Sequence, residues 1–331
     1  IRDQPRSRGL GDVYKRQNSQ AIITSYSPYR PFTSIQESGL YIKELENSEL
    51  TYEKKHELNI GADMGFLNNR INLAVDWYKR NNYDLIGIVN TQGAGGQILK
   101  YANIASMKSH GIEFTLSTQN IKKKDFSWNT DFIFSNTKNE VTDLQSNSSV
   151  IEMISGSGFA LEGYPVRSLF SMDFRGLNES GYPTFINEDG NLTVSNINFQ
   201  ERIKKDHLIY EGPTDPTITG SFGNSFKYKN FLLNLFITYS FGNVIRLDPV
   251  FHNQYSDLDA MPREFINRWT KGGDEKYTDI PVIADKRANQ QDPYLSYAYN
   301  AYNYSTARIA KGDFILSLIH ISEPTRPRLI S

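Results

Sequence analysis

The most constraining feature of this chain is a pattern of period two. In Ile71-Asn72-Leu73-Ala74-Val75-Asp76-Trp77-Tyr78 every odd position is large and apolar, and the even positions are Asn, Ala, Asp and Tyr. Successive side chains of a strand point to opposite faces, so this segment predicts a ribbon with one apolar and one wet face. The same pattern recurs between Glu57 and Phe241. Leu58, Ile60, Ala62, Met64 and Phe66 alternate with Glu57, Asn59, Gly61, Asp63 and Gly65. Ile112, Phe114 and Leu116 alternate with Glu113, Thr115 and Ser117, and Phe126, Trp128, Phe132 and Phe134 with Ser127, Asn129, Asp131 and Ser135. The clearest hairpin carries Ile218, Phe222, Phe226 and Tyr228 into Lys229-Asn230. It leaves through Phe231, Leu233, Leu235, Ile237, Tyr239 and Phe241, with Thr219, Ser221, Ser225, Lys227, Asn234, Thr238 and Ser240 on the other face.

The predicted connections alternate in length. Those at 67–70, 119–124 and 229–230 are short. Those at about 81–106, 138–216 and 243–305 are long and rich in Gly, Asn, Asp and Tyr, with further strands expected at Leu85–Val89 and Ser168–Phe174 and a short helix near Pro262–Trp269. Long loops of this size are uncommon in compact soluble domains. Two-faced strands joined by short turns on one side and long loops on the other are the arrangement of a transmembrane β-barrel. A secreted β-sandwich also alternates, with its apolar face against a second sheet. Periodicity alone leaves that alternative open.

Composition fits a barrel. The 331 residues carry a formal net charge of −1 and a mean hydropathy of −0.52. No apolar run approaches the ~18 residues of a membrane helix. A barrel wall tolerates such a low average because only alternate residues meet lipid. Tyr 20, Phe 19 and Trp 3 supply aromatics for strands and interfacial girdles. Cysteine is absent, which excludes disulfides and thiolate metal sites. The five histidines show no paired ligand spacing, and no cofactor is expected.

Both ends break the pattern. Ile1–Gln17 carries Arg2, Arg6, Arg8, Lys15 and Arg16 without alternation or a signal-peptide core. This segment and Leu318-Ile-His-Ile-Ser-Glu-Pro-Thr-Arg-Pro327 resemble translated sequencing-adapter DNA. Residues 1–17 and 317–331 are therefore expected to be non-native, and the basic arm is not read as a nucleic-acid site. Setting both ends aside leaves 29 basic and 34 acidic residues in 18–316.

A set of short motifs then resembles the C-terminal half of the SusC/RagA family of TonB-dependent outer-membrane receptors. They are Leu50-Thr-Tyr-Glu-Lys54, Leu58-Asn-Ile-Gly-Ala-Asp63, Asn68-Asn-Arg-Ile-Asn72, Val75-Asp-Trp-Tyr-Lys-Arg80, Asp84-Leu-Ile86, Asn103-Ile-Ala-Ser-Met107, Gly111-Ile-Glu113 and Phe126-Ser-Trp128. Glu162-Gly-Tyr-Pro165, Gly181-Tyr-Pro183, Arg268-Trp-Thr270 and Lys311-Gly-Asp-Phe314 follow. Each is weak singly; the same order across 50–314 is specific. The resemblance implies part of a barrel of about 22 strands plugged by an N-terminal domain, with this chain covering about a third of such a protein. It further implies an outer-membrane location, import of glycan oligomers or peptides, a SusD-like surface lipoprotein, and the TonB complex acting through a plug that this chain lacks. A siderophore or cobalamin receptor of the broader superfamily is the alternative within transport, and a soluble carbohydrate-binding sandwich the alternative outside it.

No enzyme signature is present: GxSxG, P-loop and dinucleotide fingerprints are all missing. Gly93-Ala-Gly-Gly96 reads as a loop tip, and Asn187-Glu-Asp-Gly-Asn191 as an Asx turn rather than a calcium loop. Tyr294, Tyr297, Tyr299, Tyr302 and Tyr304 form the one candidate ligand-binding cluster, either a stacking surface for sugar or peptide or an interfacial girdle. Glu57, Asp63, Asp76, Glu113, Asp131 and Lys227 are the charged positions expected on the wet strand face.

Overall fold

The structure, a computed structural model, describes residues 22–26, 39–44, 50–90, 99–145, 148–251, 262–283 and 290–322. Strands β1 (Ile22–Tyr26) and β2 (Gly39–Glu44) pair with each other. The principal sheet has seven strands: β3 (Lys54–Phe66), β4 (Ile71–Asn90), β5 (Leu99–Lys122), β6 (Phe126–Leu144), β12 (Ile218–Tyr228), β13 (Phe231–Phe241) and β16 (Phe314–Ser322). Their spatial order is β16-β13-β12-β6-β5-β4-β3. Contacts divide the chain into two compact units. One comprises 1–59, 78–110 and 139–146; the other comprises 60–77, 111–138 and 147–331.

In the second unit the register fixes which side chains share a face. Phe222 lies opposite Ile237 on one side and Phe132 on the other, and Lys227 opposite Leu232 and Ser127. The apolar sets predicted from alternation therefore fall on one face of β6, β12, β13 and β16, and the polar sets on the other. Phe222, Tyr228 and Phe231 are 40%, 54% and 55% exposed, so among the described residues no second sheet covers the apolar face. This removes the sandwich arrangement. Tyr239 lies beside Gly220, where an added Cβ would meet its hydroxyl at 2.3 Å, and that hydroxyl donates to the Ile133 carbonyl at 3.1 Å. A ring laid over a strand glycine covers otherwise bare backbone.

The short turns use left-handed backbone: Leu67, Asn68 and Asn69 adopt φ of 53°, 55° and 61°, and Lys229 adopts 51°, so the two asparagines suit their positions while Leu67 and Lys229 carry strain. Asparagine occupies the left-handed region at little cost. Arg70 closes the first turn by donating to the carbonyls of Gln119 and Asn120 at 3.1 and 3.0 Å.

Expectations about the connections are corrected. The loop expected at 81–106 is mostly strand: β4 runs to Asn90 and β5 starts at Leu99, so these strands contain 20 and 24 residues. The turn expected at 119–124 narrows to 123–125, because β5 continues to Lys122 and β6 starts at Phe126. A barrel strand needs only ~9–11 residues to cross a bilayer. Beyond Tyr78 the sequence Lys79-Arg-Asn-Asn82 is polar on both faces, and the alternation that marks a strand disappears while pairing continues. Leu85–Val89, expected as a separate strand, belongs to β4.

The first unit has its own buried residues, Leu50, Tyr78 and Val141. In the second unit the long connections fold around a hydrophobic core. They contain α1 (Val150–Ser155), β7 (Ser168–Met172), β8 (Phe174–Leu177), β9 (Pro183–Ile186), β10 (Leu192–Thr193), β11 (Leu208–Pro213), β14 (Val244–Arg246), α2 (Leu295–Asn303) and β15 (Ile309–Lys311). Strand β7 pairs with β11, and β9 lies between β8 and β10. The short helix expected near Pro262–Trp269 is a 3-10 turn at Arg263–Asn267. Val150, Met153, Ile154, Phe170, Met172, Phe185, Val250, Phe251 and Tyr302 are buried together. A capping box, Ser149 with Glu152, starts α1. Strand β16 extends past Leu316 to Ser322, opposite Leu232–Ser240 of β13.

Candidate functional site

Helix α2 distributes the tyrosine cluster by helical period. Leu295, Ala298 and Tyr302 follow one face and are buried. Tyr302 is 1% exposed, edges against Phe174 and Phe251, and its hydroxyl is pushed up to about 12 by burial. Tyr299 packs 4.6 Å from Phe251 and donates to the Val282 carbonyl at 2.7 Å. Tyr304 is half-buried under the Arg246 guanidinium at 5.5 Å. Only Tyr294 and Tyr297 stand at the surface, 5.8 Å apart, with Phe199 edge-on to Tyr297 at 5.9 Å. The structure thus brings two of the five rings together in an accessible position and places the others in or against the core. An all-polar-looking tyrosine run concealed this division, because Tyr serves a core and a surface equally well.

The wet strand face carries the expected charges. In the second unit Ser117 donates to Asp131 at 2.7 Å. Gly61 leaves room for Asp76, whose Oδ1 would sit 2.3 Å from a Cβ there. An open concavity of about 450 Å³ lies along Asp63, Gly65, Asn72, Ala74, Thr115 and Ser117. In the first unit Glu57 is held by Lys55 and by Arg80 at 2.7 Å.

Several motif residues turn out to be fasteners. Asp84 adopts φ 56° within β4, and its carboxylate accepts from Lys54 at 2.6 Å. The Asn103 side chain accepts from the Thr51 N–H at 2.7 Å and donates to the carbonyls of Thr51 and Asp84. Glu53 accepts from the Ile86 N–H at 2.9 Å. Three separate motifs, Leu50–Lys54, Asp84–Ile86 and Asn103–Met107, thus close one junction in the first unit. Likewise Gly181, at φ 78°, lies under the Trp269 ring, where a Cβ would come within 2.4 Å of the indole. Trp269 donates from Nε1 to Glu275 at 3.1 Å. Asp313 accepts from the Gly242 N–H at 2.7 Å, tying Lys311–Phe314 to the end of β13.

Sequence reasoning did not foresee one buried and one half-buried arginine. Arg308, 3% exposed, makes a bidentate pair with Glu264 at 2.7 and 2.9 Å and donates to the Asp248 carbonyl. Arg246 donates to the Phe170 carbonyl at 2.6 Å, and desolvation lowers its pKa to about 10. Burial of the neighbouring Glu211 raises its pKa. These are tethers within the folded connections. A polar pair on the apolar face was also passed over. Asn224 accepts from Trp128 Nε1 and Thr130 Oγ1, both at 2.8 Å. The signal was available: Thr130 and Asn224 each interrupt an apolar set.

At Asn187–Asn191 the Asn187 side-chain oxygen accepts from the N–H groups of Asp189 and Asn191 at 3.1 and 2.9 Å, which is an Asx turn. Among the described residues no group of carboxylates and histidines has metal-binding geometry. Gly93–Gly96 lies outside the described residues.

A two-faced antiparallel sheet with tight turns on one side and folded connections on the other defines a wall segment of a transmembrane β-barrel. Residues 9–253 match the family described as TonB dependent receptor-like, beta-barrel, and the chain belongs to that family. It is 26% identical over 321 residues to TonB-dependent receptor P3 of Formosa agariphila, covering 84% of this chain and 31% of that protein. It is 26% identical over 256 residues to TonB-dependent receptor SusC of Bacteroides thetaiotaomicron, covering 73% of this chain and 24% of that protein. The fold is similar to a solved structure of the RagAB peptide transporter, with a TM-score of 0.66 and 23% identity over 90% of this chain and 31% of that one. The chain thus spans about a third of the length of the first of these relatives.

Proposed function

We propose that this chain is part of the wall and outer connections of an outer-membrane transporter that imports glycan oligomers or peptides with energy from the TonB complex. The observation that carries the proposal is the register-locked separation of faces. Ile237, Phe222 and Phe132 meet lipid, while Lys227, Asp131 and their neighbours line the aqueous interior. One relative is named TonB-dependent receptor SusC, and the similar fold is that of the RagAB peptide transporter. Both support a SusD-like lipoprotein seated on the outer connections. Tyr294 and Tyr297 offer rigid aromatic faces for a ligand or for that partner. The proposed chemistry is binding and passage.

In this reading 18–316 are native and 1–17 and 317–331 are appended, although the family match begins at residue 9 and β16 pairs with β13 through Ser322. Sequencing across the source locus tests this: different codons at both junctions are expected, and uninterrupted adapter-like codons in genomic DNA contradict it.

The partner proposal has a direct test. Full-length receptor purified from outer membranes is expected to carry a lipoprotein encoded by the neighbouring reading frame in near-equal amount. Tyr294→Ala with Tyr297→Ala should weaken glycan or peptide uptake without lowering receptor abundance. A receptor purified alone, with uptake unchanged in the double variant, would contradict both assignments.

A further inference from the structure

The turn end of the sheet carries a charge pattern that transport does not require. Three hairpin turns, at 67–70, 123–125 and 229–230, lie at the same end of adjacent antiparallel strands. They are joined to one another. Arg70 donates to the carbonyls of Gln119 and Asn120, and the Lys229 N–H donates to the Asp125 carbonyl at 2.8 Å. On this joined rim stand Arg70, Lys122, Lys123, Lys124 and Lys229, all exposed, with Asp125 as the acid within the turns. None of the five makes an ion pair with a carboxylate among the described residues. Cations of the first unit behave differently: Lys54, Arg80 and Lys108 each hold a carboxylate at 2.6, 2.7 and 2.9 Å.

Next to these cations the apolar face is aromatic. Phe126, Trp128, Phe226, Tyr228 and Phe231 all lie within five residues of the two later turns. Trp128 stacks on Phe226 at 5.6 Å, and the Lys229 ammonium lies 5.5 Å over the Tyr228 ring. The Trp128–Asn224–Thr130 hydrogen bonds keep polar atoms satisfied at the same level. Aromatic belts of this kind mark the level of lipid headgroups, and a basic cluster immediately beyond such a belt attracts anionic lipid.

We propose that this rim is a binding surface for the phosphate headgroups of anionic phospholipid in the inner leaflet. Acyl chains would lie along the aromatic face and phosphates would meet Lys122, Lys123, Lys124 and Lys229. The occupant is a lipid rather than a periplasmic protein because each cation sits within a few residues of rings facing the hydrocarbon. The inference rests on the barrel reading above.

The test uses the full-length receptor in nonionic detergent, titrated with phosphatidylglycerol or phosphatidylcholine and read by native mass spectrometry. Two quadruple variants are compared, with Lys122, Lys123, Lys124 and Lys229 all changed to Gln or all to Arg; Arg70 is kept because it fastens the turn. Wild type and the Arg variant are expected to retain phosphatidylglycerol preferentially, and the Gln variant to lose that preference by about tenfold or more. Retained preference in a Gln variant that still shows the folded, unboiled gel band would overturn the proposal. So would unchanged lipid retention combined with loss of a co-purifying periplasmic protein. Absence of a folded band in the wild type would overturn the barrel reading, and the lipid site with it.

Discussion

At the scale of single residues, Gly181 and His207 give the sharpest tests. Gly181 combines a left-handed φ of 78° with an indole pressed against its Cα. Gly181→Ala must both strain the backbone and displace Trp269, at a cost of about 1–3 kcal/mol. The expected readout is faster hydrogen exchange at Val282, whose N–H donates to the Gly181 carbonyl; unchanged exchange there would contradict the packing. His207 is half-buried, and desolvation lowers its pKa below 6.5 against the pull of Glu188, a hydrogen bond to the Lys204 backbone, and the charges of Asp206 and Glu201. The unfolded form therefore binds its proton first as pH falls. Stability contributed by neutral His207 is present above pH 6.5 and is lost below it. Proteolysis of the folded connections in the full-length receptor should accelerate as pH falls from neutrality toward 5, and His207→Gln should flatten that response. A variant with the same pH slope would remove His207 as the cause.

At the scale of elements, the strands were legible wherever one face is apolar. Ile71–Tyr78 and the β12–β13 hairpin declare their faces because every second residue had to suit hydrocarbon. The same rule stops at Lys79: the rest of β4 and the first part of β5 are paired strand with mixed faces, and nothing in their periodicity distinguishes them from a polar loop. Helix α2 was hidden for a different reason. Its core face is Leu295, Ala298, Ala301 and Tyr302, and two alanines among tyrosines make a weak helical stripe. Motif order located Asp84 and Asn103 but not their meeting, since a side-chain amide donating to a carbonyl across strands has no sequence signature. Facing has a mutational test. Leu235, near the middle of β13 on the apolar face, should not accept arginine: Leu235→Arg is expected to cost about 2–4 kcal/mol in a bilayer, whereas Asn234→Arg should be nearly neutral. Equal losses in refolding titrations of the full-length receptor would refute the assignment.

At the scale of the whole molecule, the chain is a segment of a larger TonB-dependent receptor barrel, and its two compact units divide the work differently. The second carries the two-faced wall together with connections that fold around their own core. Among the described residues these connections are folded around a core rather than extended, and a preorganised surface binds at lower entropic cost. The most direct measurement is a cysteine scan from Phe231 to Phe241 in the full-length receptor embedded in lipid, with spin labels read against a water-soluble and a lipid-soluble relaxation agent. Labels at 232, 234, 236, 238 and 240 should respond to the aqueous agent and those at the intervening positions to the lipid-soluble one. A response with no two-residue period, or with the phases exchanged, would contradict the account.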